Sequence, residues 1–439
     1  MKQTGKMMVA LGIVACGLVA GSFLFGGPRS AVAWRSVRAI AIESDDWGLA
    51  GFVPRGDSWR DLDRRALDPG NFPEVYWLST LEDSSMVGRL NRVLASHTGR
   101  DGHPAVLQPN YVMSSLSHEG DRWVRHDLPD LPPGYHRPGL WKVVAEGIEG
   151  GTWSPEFHAT WHYDPDRRKE GALDGELALT VTGRNIMLFP GSERARELGD
   201  WRNLGVLQNE LDSSLAGFEA LFGRKVQSVI APDYHWNARI EKLWSSRNLR
   251  VIQAKREQIN TDWGSGKSGR LRKFIGRHWD RWRHPERTYL ERNCRLEPAQ
   301  APDPGAVVLR CAAETRRAWA SGQPAIVESH RINFAHTEAS VVETGLASLD
   351  GYLDLVAGDR ADSPVFLTDH EIAQLYLSGT SWRVKGGLVI VRNATHSTRI
   401  LAIPTVALVR AAAARGDEHT SRQPVLVSLP AGTNLDLIP

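Results

Sequence analysis

The stretch Arg38–Gly48, RAIAIESDDWG, decides the reading of this chain. Arg38 to Ser44 is a short, mostly apolar run that suits one buried strand, and the adjacent acids Asp45 and Asp46 follow where that strand would end. Apolar runs of the same kind recur downstream. Thr152–His158 and Ala325–His330 read as strands ending in histidine, and Ala105–Gln108, Val226–Ile230, Val251–Ala254 and Val365–Thr368 are further short strand-like runs. Residues 80–95, 203–222, 237–248 and 342–358 carry helical spacing, and another helix opens at Asp369. In 80–95 the apolar face is Leu81, Met86, Leu90, Val93 and Leu94. Strands alternating with helices predict a parallel α/β architecture, in which reactive residues gather at the C-terminal ends of the strands.

Two regions depart from this alternation. Residues 113–140 are polar and rich in Pro, Gly and His, so they read as a long surface excursion. Residues 381–439 read as a small β-rich appendage with short strands at Gly387–Val391, Arg399–Ile403, Thr405–Arg410 and Pro424–Leu429.

Composition bounds the rest. The chain has 439 residues, 41% hydrophobic and 24% charged, which suits a globular protein with a sizeable core. Mean hydropathy of −0.33 excludes a polytopic membrane protein. Fifty-three basic against fifty-one acidic residues leave a formal charge of +2, which gives no general case for nucleic acid. One local exception is the basic stretch 267–287, with Phe274, Trp279 and Trp282 interleaved; it reads either as a solvated element or as a grip for an anionic glycan or lipid headgroup. The 16 Trp outnumber the 11 Phe and the 8 Tyr. Indoles fill cores, and their broad faces also suit sugar rings.

The N-terminus reads as a targeting segment over residues 1–33. Lys2 and Lys6 precede an uncharged, mostly apolar run from Met7 to Gly27, and Ala31-Val32-Ala33 has the form of a cleavage site. The run is also long enough to span a bilayer, so a cleaved signal peptide and an uncleaved inner-membrane anchor both fit. Either one predicts an exported body, periplasmic or otherwise extracytoplasmic. Apart from Cys16 in that run, the only cysteines are Cys294 and Cys311, which read as a disulfide or as two buried thiols.

Three short patterns carry chemistry. Adjacent carboxylates at Asp45 and Asp46 can divide labour, one binding a metal while the other takes a proton from water. His158 and His162 are four apart, a spacing that places both on one face of a helical turn and lets them ligate one ion. Asp/His/His with an open fourth position is a catalytic zinc arrangement. His330 then ends its own strand.

In this order the patterns resemble the polysaccharide deacetylase (NodB-homology) family of carbohydrate esterases. Ser44-Asp45-Asp46 is similar to the first family motif and His158-x-x-x-His162 to the second. Ala231-Pro232-Asp233-Tyr234 is similar to the third in degenerate form, Asp262-Trp263 to the fourth and Ser329-His330 to the fifth. The ESDDWG start, Glu291–Pro298 and Ser329–Phe334 resemble an enlarged bacterial branch of that family, and the resemblance spans about residues 36–378.

The resemblance implies a distorted parallel (β/α) barrel over residues 34–380, with long insertions, followed by the appendage at 381–439. It implies an exported, metal-dependent hydrolase that removes acetyl groups from an N- or O-acetylated polysaccharide. Asp46, His158 and His162 would hold a divalent metal, zinc by preference, with Asp45 as general base and His330 as general acid. Trp47, Trp161, Tyr234, Asp262 and Trp263 would contact substrate, and a backbone N–H near Tyr234 would face the oxyanion. Three departures stand out. Ala231 replaces the family's third-motif Arg, a place Arg184, Arg331 or another basic residue could fill. Ala159-Thr160-Trp161 replaces the Gly-Arg-Glu that the close branch carries between its histidines. His158 also lies 112 positions after Asp46, which implies a large insertion. A metal-dependent glycosidase or amidase on a related barrel, and a non-catalytic glycan-binding relic of the fold, are the alternative readings.

Overall fold

The computed structural model describes residues 32–50, 53–54, 74–119, 122–162, 204–255, 283–358, 363–385, 387–415, 417 and 423–438. The Arg38–Gly48 stretch forms β1 (Ala39–Trp47), whose residues are buried almost throughout. It lies parallel between β2 (Leu107–Val112) and the strand that ends at His330.

From β2 the sheet continues in chain order, and always parallel, through β5 (Glu156–Ala159), β6 (Ser228–Val229), β7 (Val251–Ala254) and β8 (Thr288–Glu291). On the other side of β1 lie β10 (Ala325–His330) and then β9 (Cys294–Arg295). The two ends of this path, β8 and β9, are separated only by Arg292 and Asn293. The N–H of Arg292 donates to Ala254 O on β7 at 3.0 Å, and that of Asn293 to Ile326 O on β10 at 3.0 Å. One extended segment therefore changes neighbours in mid-course and curls the sheet into a parallel (β/α) barrel.

Helices cover the outside: α2 (Ser84–Ser96), α3 (Leu140–Gly150), α4 (Leu204–Phe222), α5 (Ala238–Ser245), α6 (Pro304–Ala320) and α7 (Ala339–Ala357), with the single turn α1 (Trp34–Val37) ahead of β1. Three of them start at a capping side chain. Asp83 caps α2 through the N–H of Met86, Asn237 caps α5, and Asp303 followed by Pro304 opens α6. Ile40 and Ile42 of β1 face this helical layer, together with Val87, Leu90 and Leu94 of α2.

The alternate residues of the strands face inward. Ala39, Ala41, Ile326 and Val251 make an apolar floor, plugged by Ile372 and Leu375 of α8 (Asp369–Ser378) after the short β11 (Val365–Phe366). Above the floor the interior turns polar, with Glu43, Gln108, Ser228, Gln253 and Asp369 all buried. A buried polar layer is tolerable where its members satisfy one another, and all of these but Glu43 Oε1 do. Asp369 accepts from Gln108 Nε2 at 3.0 Å and from Ser228 Oγ at 2.9 Å, while Gln253 and Asn110 exchange amide hydrogen bonds at 2.7 and 2.8 Å. Burial first, and then the Asp369 carboxylate, push Glu43 well above the carboxylate range, and burial also raises Asp369.

The excursion expected over 113–140 is an ordered hairpin, β3 (Ser114–Glu119) against β4 (Arg122–Asp127), with Ser114, Ser115 and Ser117 buried. Beyond α8 come β12 (Thr380–Lys385), β13 (Leu388–Asn393), β14 (Arg399–Ile403), β15 (Val425–Leu429) and β16 (Asn434–Leu437). Thr405–Arg410, expected as a strand, lies instead in helix α9 (Thr405–Ala414). Pro404 at the N-cap and the alanine run Ala411–Ala414 outweigh the β-branched residues at its start. The appendage is tied to the barrel by ion pairs, Arg392 to Asp101 at 2.8 Å and Arg383 to Glu371 at 3.1 Å. Cys294 and Cys311 are free, buried thiols, and burial pushes Cys294 up to about 12. Residues 1–31, Arg184 and most of 267–287 lie outside the described residues; among those described, no helix is long and apolar enough to cross a membrane.

Candidate functional site

A regular strand would send Asp45 and Asp46 to opposite faces of the sheet. A register shift between Ser44 and Trp47 breaks that alternation, and Asp46 takes a left-handed φ of +71°. Such a bulge re-aims side chains at the end of a strand. Asp45 stays in the barrel interior, and Asp46 turns toward the ends of β1 and β5.

There Asp46 Oδ1 lies 3.0 Å from His162 Nε2 and 3.4 Å from His158 Nε2. One ligand atom from each of the three falls within 4.8 Å of the others. The helical turn expected for His158 and His162 is not what joins them. His158 sits near the end of β5, and the chain bends after Ala159 to bring His162 back beside it. His158 Nδ1 donates to the carbonyl of Ile230 at 3.1 Å. That bond fixes the tautomer and leaves Nε2 with its lone pair toward Asp46, the arrangement a metal-ligating histidine needs. One carboxylate oxygen and two imidazole nitrogens that converge in this way are a donor set that suits a divalent cation.

Asp45 is held by Arg292. Arg292 Nη1 donates to Asp45 Oδ2 and Nη2 to Oδ1, both at 2.7 Å, and Asn110 Nδ2 adds a third bond at 2.7 Å. The remaining guanidinium donors go to Glu43 Oε2 at 2.6 Å, the Tyr234 hydroxyl at 2.7 Å and Gln253 Oε1 at 3.0 Å, so all five are used. Burial alone would raise the Asp45 pKa, but Arg292 outweighs it and holds the carboxylate well below its usual range. Arg292 is thus the basic residue that orients Asp45 in this structure. Arg331 does not orient it, but donates to Thr80 O and lies 3.7 Å from Glu82.

His330 stands opposite Asp45 in the β1–β10 register, its Nε2 3.8 Å from Asp45 Oδ2. Its Nδ1 lies 2.6 Å from Glu297 Oε1, and Glu297 is itself held by Asn333 Nδ2 at 2.8 Å. Burial lowers the pKa of His330, but Glu297 more than compensates, with help from Asp46 and Asp45, and raises it to about 10. Asp262 and Trp263, expected to contact substrate, lie outside the described residues. Glu297 went unnoticed as a site residue, although it stands inside the quoted Glu291–Pro298 stretch.

The remaining expected contacts divide. Trp47 does not face a cleft: it is 1% exposed, its Nε1 donates to Ser44 Oγ, and its ring packs edge-on against Trp153. Trp161 lies under the Arg125 guanidinium of the hairpin, 4.9 Å from its ring centroid. Tyr234 does reach the cluster, and its hydroxyl donates to Glu328 Oε1 at 2.9 Å beside Lys255. The N–H groups of Tyr234 and His235 are spent on Ala231 O and Pro232 O within their own turn, so neither faces an oxyanion.

No protein-family profile matches the chain, and no curated protein matches it. Among solved structures it is similar to Agd3, a carbohydrate deacetylase, at 10% identity and a TM-score of 0.40, covering 91% of this chain and 64% of that one. It is also similar to a structure from Mycobacterium smegmatis assigned as a polysaccharide deacetylase, at 12% identity, a TM-score of 0.36 and coverage of 77% and 90%. A third likeness is to AmyP in complex with maltotriose, at 9% identity, a TM-score of 0.34 and coverage of 94% and 99%. The chain spans about two-thirds or less of the Agd3 length.

Proposed function

We propose that this protein is a metal-dependent hydrolase that removes acetyl groups from a polysaccharide, and that it works outside the cytoplasm. The observation that carries this reading is the convergence of Asp46, His158 and His162 beside a clamped Asp45 and a His330 held by Glu297. Asp46, His158 and His162 would hold the cation, with zinc as the first choice for one carboxylate and two imidazoles. A divalent cation there supplies a Lewis acid that polarises a carbonyl oxygen and makes water easier to deprotonate.

The chain's own residues account for the proton movements. Water attacks the acetyl carbon, and Asp45 takes the proton that water gives up. Its Oδ2 accepts from Arg292 and has His330 as its next polar neighbour. The clamp gives up basicity for position, since a carboxylate held so low is a weak acceptor unless the water is already acidified. His330, protonated up to about pH 10, gives its proton to the departing amine or hydroxyl as the carbonyl bond to it breaks. Acetate and the deacetylated sugar are the products.

The test combines metal analysis of the purified protein with acetate release from N- and O-acetylated oligosaccharides. Stoichiometric divalent metal and metal-dependent acetate release are expected, with both lost in Asp46→Ala and His158→Ala. Protein that carries no metal, with both variants indistinguishable from wild type, overturns the reading. Export rests on the composition of residues 1–33, and the N-terminal sequence of the mature protein tests it.

A further inference from the structure

The opposite end of the barrel carries a second concavity. A cleft of about 490 Å³ opens between α3, the end of α4 and the appendage elements β12 and α9. Val106, Ser154 and Gln227 line it, and each stands just ahead of a barrel strand. The cleft therefore lies at the N-terminal ends of the strands, roughly 20 Å from the Asp46 cluster for a six-residue strand.

Its lining combines two chemistries. Trp141 from α3 and Trp382 from β12 are half-buried indoles that line the cleft. Arg224, Arg383, Lys385 and Arg410 also line it, against a single acid, Glu149. Arg224 is committed to Ser154, Gln227 and Glu156. Arg383 donates to Glu371 and to Phe366 O, while its Nη2 is buried with no partner. Lys385 and Arg410 have no acidic partner among the described residues. The Lys385 stem lies over Gly151, where an added Cβ would come within 2.6 Å of its Cε, so the glycine leaves room for the side chain. Burial and the neighbouring Arg383 lower the Lys385 pKa against the opposing pull of Asp436 and Asp101, which make their own ion pairs with His103 and Arg392. Four cations stand around the aromatic faces with Glu149 as the one acid among the described lining residues, a charge pattern that an anion would complement.

We propose that this cleft is a second binding site and that it takes an acidic saccharide, with sugar faces on Trp141 and Trp382 and carboxylate or sulfate groups on Lys385 and Arg410. Because the cleft and the Asp46 cluster sit at opposite ends of the barrel, binding here stands whether or not the cluster hydrolyses acetyl groups. Where it does, a long polymer held here is kept near the cluster at high effective concentration.

Calorimetric titration of the full chain tests this with three probes: a galacturonate hexamer, a neutral glucose hexamer and inorganic sulfate. The acidic hexamer is expected to bind in a salt-dependent manner, at least about tenfold tighter than either of the others. The double variant Lys385→Gln/Arg410→Gln, whose side chains make no ion pair among the described residues, should keep its thermal midpoint and lose about tenfold or more in affinity for that hexamer. Asp46→Ala should bind as wild type does, which separates this site from the proposed hydrolytic one. Equal binding of the neutral hexamer, sulfate binding as tightly as the acidic hexamer, no binding by the wild type, or unchanged binding by the double variant would each overturn the proposal.

Discussion

Arg292 and Asp45 stand 247 positions apart in sequence and meet in a bidentate pair, with both bonds at 2.7 Å and the Arg292 side chain fully buried. Arg292 reaches the interior because it sits where the barrel-closing segment passes from β7 to β10. The same guanidinium binds Glu43, so one cation serves two interior acids. Truncating or misplacing one member of a buried network leaves the others desolvated and unpaired, which costs more than the pair itself contributes.

Arg292→Lys tests that dependence. Lysine keeps the charge but has no planar fork, and it cannot serve Asp45, Glu43, Tyr234 and Gln253 together. A loss of about 3–5 kcal/mol in folding stability is expected, measured by urea denaturation, with turnover lost alongside. Wild-type stability in this variant would mean that the five-donor arrangement is not required.

Glu43 provides a sharper contrast. Its raised pKa makes Glu43 a protonated acid, so Glu43→Gln is close to isosteric: its amide oxygen can accept from Arg292 Nε. Near-wild-type stability is expected for Gln, and a loss of about 1–3 kcal/mol or more for Ala, which leaves buried polar groups unsatisfied. The sign of the pH effect follows from the raised pKa. The folded protein keeps a proton that the unfolded chain releases above its ordinary value of 4.5, so stability falls as pH rises from there. Glu43→Gln should flatten that slope by up to about 1.4 kcal/mol per pH unit. If wild type and Glu43→Gln change in stability by the same amount between pH 5 and pH 7, measured by urea denaturation, the proton is assigned elsewhere.

What could be read in the sequence was local. The apolar run before Asp45, the strand ending at His330 and the helix opening at Asp369 each need only a few neighbouring residues to be recognised, and Val251–Ala254 and Ala325–His330 form as strands with the expected bounds. Arg292 was hidden because its partner is distant in sequence, and Glu297 because a loop glutamate gives no sign of the histidine 33 positions away. The i,i+4 spacing of His158 and His162 suggested a helix because periodicity cannot show that a strand ends between them. Trp47, expected to contact substrate beside two acids, packs in the core instead, because its indole lies against Trp153 below the bulge that turns Asp46.

The Glu297–His330 pair makes a prediction in the pH profile. Glu297 is the main cause holding His330 protonated up to about pH 10, so wild-type kcat/KM on an acetylated oligosaccharide should not lose its acid form at neutral pH. Glu297→Gln removes the charge while keeping a hydrogen-bonding group of the same size, so the His330 pKa falls. The alkaline limb of kcat/KM should move to lower pH, and proton donation should be lost there by about 10²–10⁴-fold. A variant whose alkaline limb does not move would remove His330 from the role of acid.

The turn that supports this pair depends on a helix glycine. Asn333, which holds Glu297, packs its backbone against α7 at Gly345. A Cβ at Gly345 would lie 1.5 Å from Asn333 O and 2.6 Å from its carbonyl carbon, both backbone atoms that no side-chain rotation can clear. Helix propensity alone favours Ala over Gly by about 1 kcal/mol, so the two effects oppose each other in sign. The overlap wins, and Gly345→Ala should destabilise the fold by about 1–3 kcal/mol net, shifting the 331–333 turn and loosening Glu297. Gly351 in the same helix is the control, because its added Cβ meets only Val308 Cγ1 at 4.0 Å. Gly351→Ala should be neutral or stabilising by up to about 1 kcal/mol. Urea midpoints of the two variants that shift in the same direction would show that α7 can move away from Asn333 at little cost.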